Sequence, residues 1–577
     1  MFKHYFQQEL DALKDLGAAF SKDHPAVAPM LSGPTADPDV ERLLEGVAFL
    51  TALLRQKLDD EFPEVIHELM HLIWPHYLRP LPCASIVTFR SKPALKESIN
   101  MPAGVTIASV PVEGTACLFQ TCYDVELHPL SLIEASLFES AGTPPCIRLL
   151  LELRGMRLCD WQPKALRFFL SGDYTGAADI YLLVRNHLRQ IILRPLDTGS
   201  SCTLKPDSIK PVGYGVDEGL FPYPSHSFPG YRMLQEYFTM PEKFLFFDLT
   251  DWERWVDRGE GSRFEILLEL DDFPFSPPRI RKDNFALFAT PVINIFEHEA
   301  DPIRLDHKRS EYLVRPAGTN ASHYQVYSVD KVVGFVHGTA EQRNYVPFEL
   351  FNPEPELNPV YHTIIKRSPI QDGLDVYLAP TYPAGERPPE SETLSVDILC
   401  TNGTLPESLH TGDIRIPTSS SPEFVDFQNI RPATSNVLPP LGTDLLWRLQ
   451  SHLSLNYLSL ASVENFKALL NLYTFVSNRD RVALTANKRR IAGIENIEAR
   501  TCSRLVRGVM MRGQEIRAKL RQDHFASPGD LFLFGCVLDE FLASYASLNT
   551  YTQLEIQDAV KGDTYQWPAR IGDHPLI

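Results

Sequence analysis

Apolar residues in the first eighty positions recur with the period of a helix. Phe2, Phe6, Leu10, Leu13 and Phe20 form one stripe, with Lys3, Gln7, Lys14 and Asp15 off it. His24-Pro25 stops this helix, and Asp37-Pro38 supplies an N-cap with proline in the next first turn. Val40, Leu43, Leu44, Val47, Leu50, Leu54 and Leu58 then continue as a second amphipathic helix. Pro63 opens a third, which ends at Trp74-Pro75. The segment joining the first two, Pro25 to Pro38, is proline-rich, so these helices are not expected to close a core of their own. They are expected to pack against helices of another subunit. Phe2, Phe6, Leu10, Leu13, Leu43, Val47, Leu50 and Leu54 are therefore candidate partner-interface residues.

From about Leu81 the period changes from helical to alternating. Ser85 to Phe89, Val105 to Ser109, Ile147 to Leu153, Ile191 to Arg194 and Phe264 to Leu270 read as strands bounded by Pro and Gly. Strands dominate to about Leu399, with a short helix suggested by Gly176 to His187. A second helical region runs from Asp444 to about Phe475, and its Trp447 is a further candidate for partner contact. The last hundred residues mix strands (Ser503 to Val509, Glu515 to Leu520) with a helix from an N-cap near Ser527-Pro528 to Leu548. The expected fold class is α+β and multidomain. A helical bundle arm at 1–80 precedes two strand-rich, sandwich- or barrel-like domains at 81–205 and 206–400 and an α+β domain at 401–577.

Composition narrows the function. The 577 residues are 44% hydrophobic and 22% charged, the balance of a folded globular chain, and 46 prolines outnumber 31 glycines. The net charge of −18 disfavours nucleic acid and anionic membranes as partners. The longest basic cluster, Lys488-Arg489-Arg490, reads as a solvated turn. Nine cysteines without a CxxC pair read as reduced thiols, as in a cytosol. Glu9, Asp11 and Asp15 interrupt any signal-peptide core, and apolar stretches such as Leu531 to Leu538 fall short of the ~20 residues of a membrane span. Together these features predict an intracellular folded protein, and the apolar stripes of its N-terminal helices leave surface for a protein partner. A β-rich ligand-binding or adhesive protein is the reading they count against.

Candidate chemistry is sparse. His67-Glu-Leu-Met-His71 matches HExxH, the motif that binds Zn²⁺ through two histidines one helical turn apart and activates water through the glutamate. A zinc-dependent hydrolase built on His67, Glu68 and His71 is thus the alternative from another class. Against it, Val65, Ile66, Leu69, Leu72 and Ile73 centre on the opposite side of the helical wheel, leaving both histidines on the solvated face. Trp74 and Tyr77 also occupy the extended motif's glycine and third-histidine positions. Gly508-Val-Met-Met-Arg-Gly513 has P-loop glycine spacing, but Gln514-Glu515 replaces the Lys-Ser/Thr pair, so it reads as a turn between strands. No GxSxG elbow is present. Glu236 and Arg232 offer an ion pair beside Tyr231 and Tyr237, or a solvated helix face.

Several segments in order along the chain resemble the TssF family (also VasA or ImpG), a baseplate subunit of the bacterial type VI secretion system. They are Tyr5-Phe-Gln-Gln-Glu-Leu10, Phe20-Ser-Lys-Asp-His-Pro25, Trp74-Pro-His-Tyr-Leu-Arg-Pro80 and Thr121-Cys-Tyr-Asp-Val125. Gly230-Tyr-Arg-Met-Leu-Gln-Glu-Tyr-Phe238 and Pro241-Glu-Lys-Phe-Leu-Phe-Phe-Asp248 are the most distinctive. Thr290 to Phe296, Cys400-Thr-Asn402, Trp447 to Leu460, Phe534-Gly535 and Tyr545 to Asn549 complete the set. The resemblance implies a wedge protein without catalysis, metal or cofactor. It implies two copies per TssG-like subunit, engaging TssK-like and TssE-like baseplate proteins around the spike and inner tube. The location implied is cytoplasmic, at the inner face of the membrane, with the membrane complex contacted only indirectly.

Overall fold

The computed structural model describes residues 2–24, 39–54, 70 and 74–572, apart from 141, 224–226, 319, 321, 339–341, 349–358, 369–372, 383–391, 442–461, 476–480 and 507–508. The chain divides into two compact units, Met1–Leu78 with Pro440–Gln450, and Arg79–Pro439 with Ser451–Ile577. The smaller unit holds the helix Phe2–Asp23, a second helix over 39–54 and a 3₁₀ turn at Pro75–Leu78.

The larger unit is built on sheets whose strands come from distant parts of the chain. A six-stranded sheet orders Ile414–Ile416, Thr106–Val112, Thr115–Thr121, Ala289–Ile293, Ala84–Ser91 and Val425–Asn429. Beside it in sequence, Arg263–Leu270 pairs antiparallel with both Thr143–Leu153 and Leu188–Pro195, and Leu166–Leu170 pairs with Phe246–Leu249. Pairing therefore runs across the expected divisions at 205 and 400. An antiparallel strand needs a partner edge and a face to bury, not a neighbour in sequence.

Between Asn294 and Asn402 a separate sheet is inserted. In Glu392–Thr401, Leu394, Val396, Ile398 and Cys400 are buried and Ser395 and Asp397 exposed, the period of two that a half-buried strand requires. Its strands run in the order Phe296–Glu299, Glu392–Thr401, Gln325–Val336, Gln342–Pro347, Val360–Arg367, Leu374–Thr381, Tyr312–Leu313. The bridge Ala300–Pro316 returns the last strand to the first, giving a barrel-like closure around Leu305, Leu378 and Leu394. At its neck the Asn294 Nδ2 donates to Asn402 Oδ1 at 2.9 Å, and the Asn402 N–H donates to Asn294 Oδ1 at 2.7 Å.

The C-terminal region surrounds the helix Pro528–Ala543. Ser527 caps it, its Oγ accepting from the Asp530 N–H at 3.2 Å, with Pro528 in the first turn. Nearly every residue of this helix is buried, so its sequence is apolar all round rather than striped. It packs on the helices Tyr174–Asn186 and Pro229–Thr239 and on the strand Thr550–Asp558. It ends at Ala543, short of the expected Leu548, because the chain turns through Ser547 into that strand. Lys488-Arg489-Arg490 is not a turn: it lies in the helix Arg481–Ala492, and Arg490 is buried. Gly513 also falls within a strand, Val509–Leu520, rather than at a turn.

Candidate functional site: an outward apolar helix face and a buried motif core

Position by position, the helix over 39–54 separates two kinds of apolar residue. Ala48 and Ala52 are buried and Val40, Leu44 and Thr51 half-buried, a face spaced by three and four residues. The adjacent face, equally regular, is Leu43 (69% exposed), Val47, Leu50 (61%) and Leu54 (63%), with Phe49 and Leu53 also exposed. Short alanines face inward and bulky leucines face outward. On Phe2–Asp23, Leu10 is buried, Phe6 and Leu13 are half-buried, and Leu16 and Phe20 are exposed. Lys14 Nζ lies 3.7 Å from Glu41 Oε1, an exposed ion pair between the two helices that adds little stability. Of the candidate interface residues, Leu10, Phe6 and Leu13 thus face inward in whole or part, while Leu43, Val47, Leu50 and Leu54 form one outward row. The Phe2 side chain, Trp447, and His67, Glu68 and His71 lie outside the described residues.

The most distinctive motif makes a buried core instead. Pro229 and the following residues form a helix whose positions Gly230 to Phe238 are all buried, Arg232 and Glu236 included. Those two do not pair with each other. Arg232 donates through Nη1 to Val216 O and through Nη2 to Gly215 O, both at 2.6 Å. Glu236 accepts from the Leu220 N–H at 2.6 Å and forms an ion pair with Lys243, which also donates to Gly213 O at 2.8 Å. Burial lowers the Lys243 pKa, and the Glu236 carboxylate opposes that shift. Removing one partner of such a pair strands a buried charge, a cost of about 3–5 kcal/mol.

A second buried node joins four helices. Asp530 Oδ2 accepts from Arg490 Nε at 3.1 Å and Asp530 Oδ1 from Arg490 Nη2 at 3.0 Å. Tyr174 OH adds a bond to Asp530 Oδ1 at 2.7 Å, and Asn487 Nδ2 reaches Phe238 O at 2.9 Å. The sequence reading missed both nodes. Lys243 follows Glu236 across the Met240-Pro241 break, and Asp530 lies forty positions from Arg490, so no local spacing signals either pair.

Proton-transfer geometry is limited. His128 Nδ1 lies 2.7 Å from Ser98 Oγ, and its Nε2 lies 3.8 Å from Glu126 Oε2, beyond hydrogen-bond reach. Burial lowers the His128 pKa to about 4, so the imidazole is neutral and weakly basic, suited to a cross-strand contact rather than to activating a serine. Among the described residues no group of three His, Cys, Asp or Glu could hold a metal ion, and no helix is long and apolar enough to cross a membrane.

Buried nodes that set shape, together with an outward apolar helix face, define a protein of contacts, and the comparisons agree. Residues 1–574 match the family model for type VI secretion system TssF. The type VI secretion system component TssF1 of Pseudomonas aeruginosa is 28% identical over 99% of this chain and 99% of its own. A chain of the cryo-electron microscopy structure of the type VI secretion system TssK-TssF-TssG baseplate subcomplex superposes with a TM-score of 0.79 at 28% identity, covering 93% of this chain and 99% of that one. A chain of the baseplate complex from the type VI secretion system shares the fold, with a TM-score of 0.57 and 24% identity over 100% of both. The class is therefore a structural component of the type VI secretion baseplate. Within that class the chain belongs to the TssF family.

Proposed function

We propose that this chain is a wedge scaffold that holds a type VI secretion baseplate together through its N-terminal helices, without catalysis. The observation that carries the reading is the likeness over 99% of a chain from a TssK-TssF-TssG subcomplex. The outward row Leu43, Val47, Leu50 and Leu54 supports a helical partner: burying each of these side chains contributes about 2 kcal/mol. The partner in this reading is a TssG-like subunit, with two copies of this chain to one of it, and TssK-like and TssE-like subunits join around the spike and tube. The assembly sits in the cytoplasm at the inner face of the membrane. The family match lends no support to a hydrolase on His67, Glu68 and His71.

Co-expression with TssG-like and TssK-like subunits from the same source, followed by native mass measurement, tests this. The expected product is one complex with two copies of this chain per TssG-like subunit. Recovery of this chain as a separate monomer beside the other two would overturn the scaffold reading.

A further inference from the structure

Positive charge is concentrated in one place. Residues 481–521 contain eleven Lys and Arg against three Glu, a net of +8 in a chain of −18. Four of the eleven lie in the helix Arg481–Ala492 and one is Arg521; the other six are spaced along a long hairpin. Ile494–Val506 pairs with Val509–Leu520 from Ile494↔Leu520 to Val506↔Val509, but the third strand, Thr550–Asp558, supports only Arg512–Leu520. The outer part of the hairpin therefore extends beyond the sheet as two strands, and Ile494–Val506 is an edge along its whole length. Toward its base, charges are neutralised: Arg500 pairs with Glu498 at 3.3 Å, Arg517 with Glu555 at 3.5 Å and Lys519 with Glu495 at 3.7 Å. Beyond it, Ala499 to Gln514 contains no acid. Arg512 and Met510, which is 70% exposed, share one face of the hairpin there. Arg504, also exposed, lies on the other face, where its Nη1 donates to Gln553 Oε1 at 3.2 Å, and neither arginine is in an ion pair with a described acid.

The same chain carries the complementary surface. On the outside of the inserted barrel, Glu297 and Glu299 project from one strand, and Asp397 stands directly opposite Glu299 on the next. Like charges in that position destabilise a sheet. Asp301 is exposed just beyond, and none of the four is in an ion pair with a described cation, although Lys331 is the register partner of Asp397 on the following strand. We propose that the arginine-bearing end of the hairpin docks on the Glu297, Glu299 and Asp397 face of a second copy of this chain. Protein is favoured over phosphate as the occupant for two reasons. Among the described residues of this end, the two arginines outside any ion pair lie on opposite faces of the hairpin, too few and too divided to neutralise a nucleic-acid backbone or a lipid surface, and the rest of the chain is strongly acidic. Because donor and acceptor surfaces differ, the contact is heterologous and joins copies head to tail. It does not depend on the N-terminal helices.

Sedimentation of the full-length chain at 50, 150 and 500 mM salt, using charge-swapped variants, tests the proposal. Self-association that weakens at least tenfold from 50 to 500 mM salt is expected, whereas contact through the apolar N-terminal face persists at high salt. R504E/R512E and E299R/D397R should each lose the salt-sensitive association while keeping the wild-type circular dichroism spectrum. An equimolar mixture of the two variants, which pairs an acidic hairpin with a basic barrel face, should recover it. Failure of that mixture to associate, or unchanged association of either variant alone, overturns the proposal. So does a result in which R504E/R512E leaves self-association intact but loses binding to a 20-base-pair DNA or to phosphatidylserine vesicles.

Discussion

The helix over 39–54 and the helix Pro528–Ala543 are both rich in leucine and place it differently. In the first, alanines face inward and the row Leu43, Leu50 and Leu54 faces solvent. In the second, Leu531, Leu533, Leu538 and Leu542 are all buried, and Asp530 and Asp539 are drawn in with them. A helix surrounded by its own chain can be apolar on every side and must satisfy each polar group it buries. A helix that keeps one apolar face outside is stable only to the extent that its inward face suffices, and it leaves the rest for another protein. In the proposed reading, the contrast separates what shapes this protein from what joins it to others.

The largest effect should come from breaking the outward face. Leu43→Asp with Leu50→Asp would bury two unpaired carboxylates in any helical seam formed there, a loss of several kcal/mol for each. Pull-down of the TssG-like subunit should fail completely, while protease resistance and circular dichroism of the Arg79–Ile577 body stay as in the wild type. Normal yield of complex from the double variant would place the seam elsewhere.

On the buried side, Asp530→Ala strands Arg490 among Tyr174, Tyr237 and Asn487, and denaturant unfolding of the body should show a loss of about 3–5 kcal/mol. Replacing both partners by methionine, R490M/D530M, should cost less than Asp530→Ala alone, because no charge is then left unpaired. A smaller loss, about 1–3 kcal/mol, is expected for Gly529→Ala. A Cβ at Gly529 would press on the backbone of Ala178 and Asp179, in the contact between the helices Tyr174–Asn186 and Pro528–Ala543. If Gly529→Ala melts like the wild type, the two helices have room that the structure does not show.

The same helix predicts a pH dependence. Burial raises the pKa of Asp539 to about 6 and that of Glu540 to about 7, with Arg570, bonded to both, opposing the shift. In the unfolded chain these groups titrate near ~4. The native state therefore holds protons that the unfolded state has lost, so this contribution to stability is complete below the unfolded values and declines as pH rises through 6 and 7. Melting temperature should fall from pH 5 to pH 8, and D539N/E540Q should flatten that slope. A steeper decline in the variant would reverse the sign assigned here.

Much of the fold was legible in the sequence because it rests on local signals. The alternation in Ser85 to Phe89 and Phe264 to Leu270 marks strands, and Ser527-Pro528 starts a helix as its cap chemistry predicts. What was missed depends on residues distant in sequence. Lys488-Arg489-Arg490 reads as a solvated turn until Asp530 supplies a buried partner for Arg490. Gly513 reads as a turn glycine, but the Tyr551 ring lies against it across the Arg512–Leu520 pairing, filling the space a side chain would need. The apolar row of the helix over 39–54 was correctly seen as regular. Its inward and outward halves could not be told apart, since hydrophobicity alone does not say that alanine gives the closer approach.

The smallest effect tests that last distinction on a single residue. Gly46 lies in the helix over 39–54, and a Cβ there would meet nothing within 4 Å, in contrast to Gly529. Its φ is not in the left-handed region, so alanine fits the backbone it already has. Glycine in a helix interior costs about 0.5–1 kcal/mol relative to alanine through the freedom it retains when unfolded. Gly46→Ala should therefore stabilise the N-terminal helices by about that amount, measured as helix content on heating, without changing partner binding. If it weakens capture of the TssG-like subunit instead, then the space beside Gly46 is occupied in the complex, and the outward face extends from the leucine row around to this side of the helix.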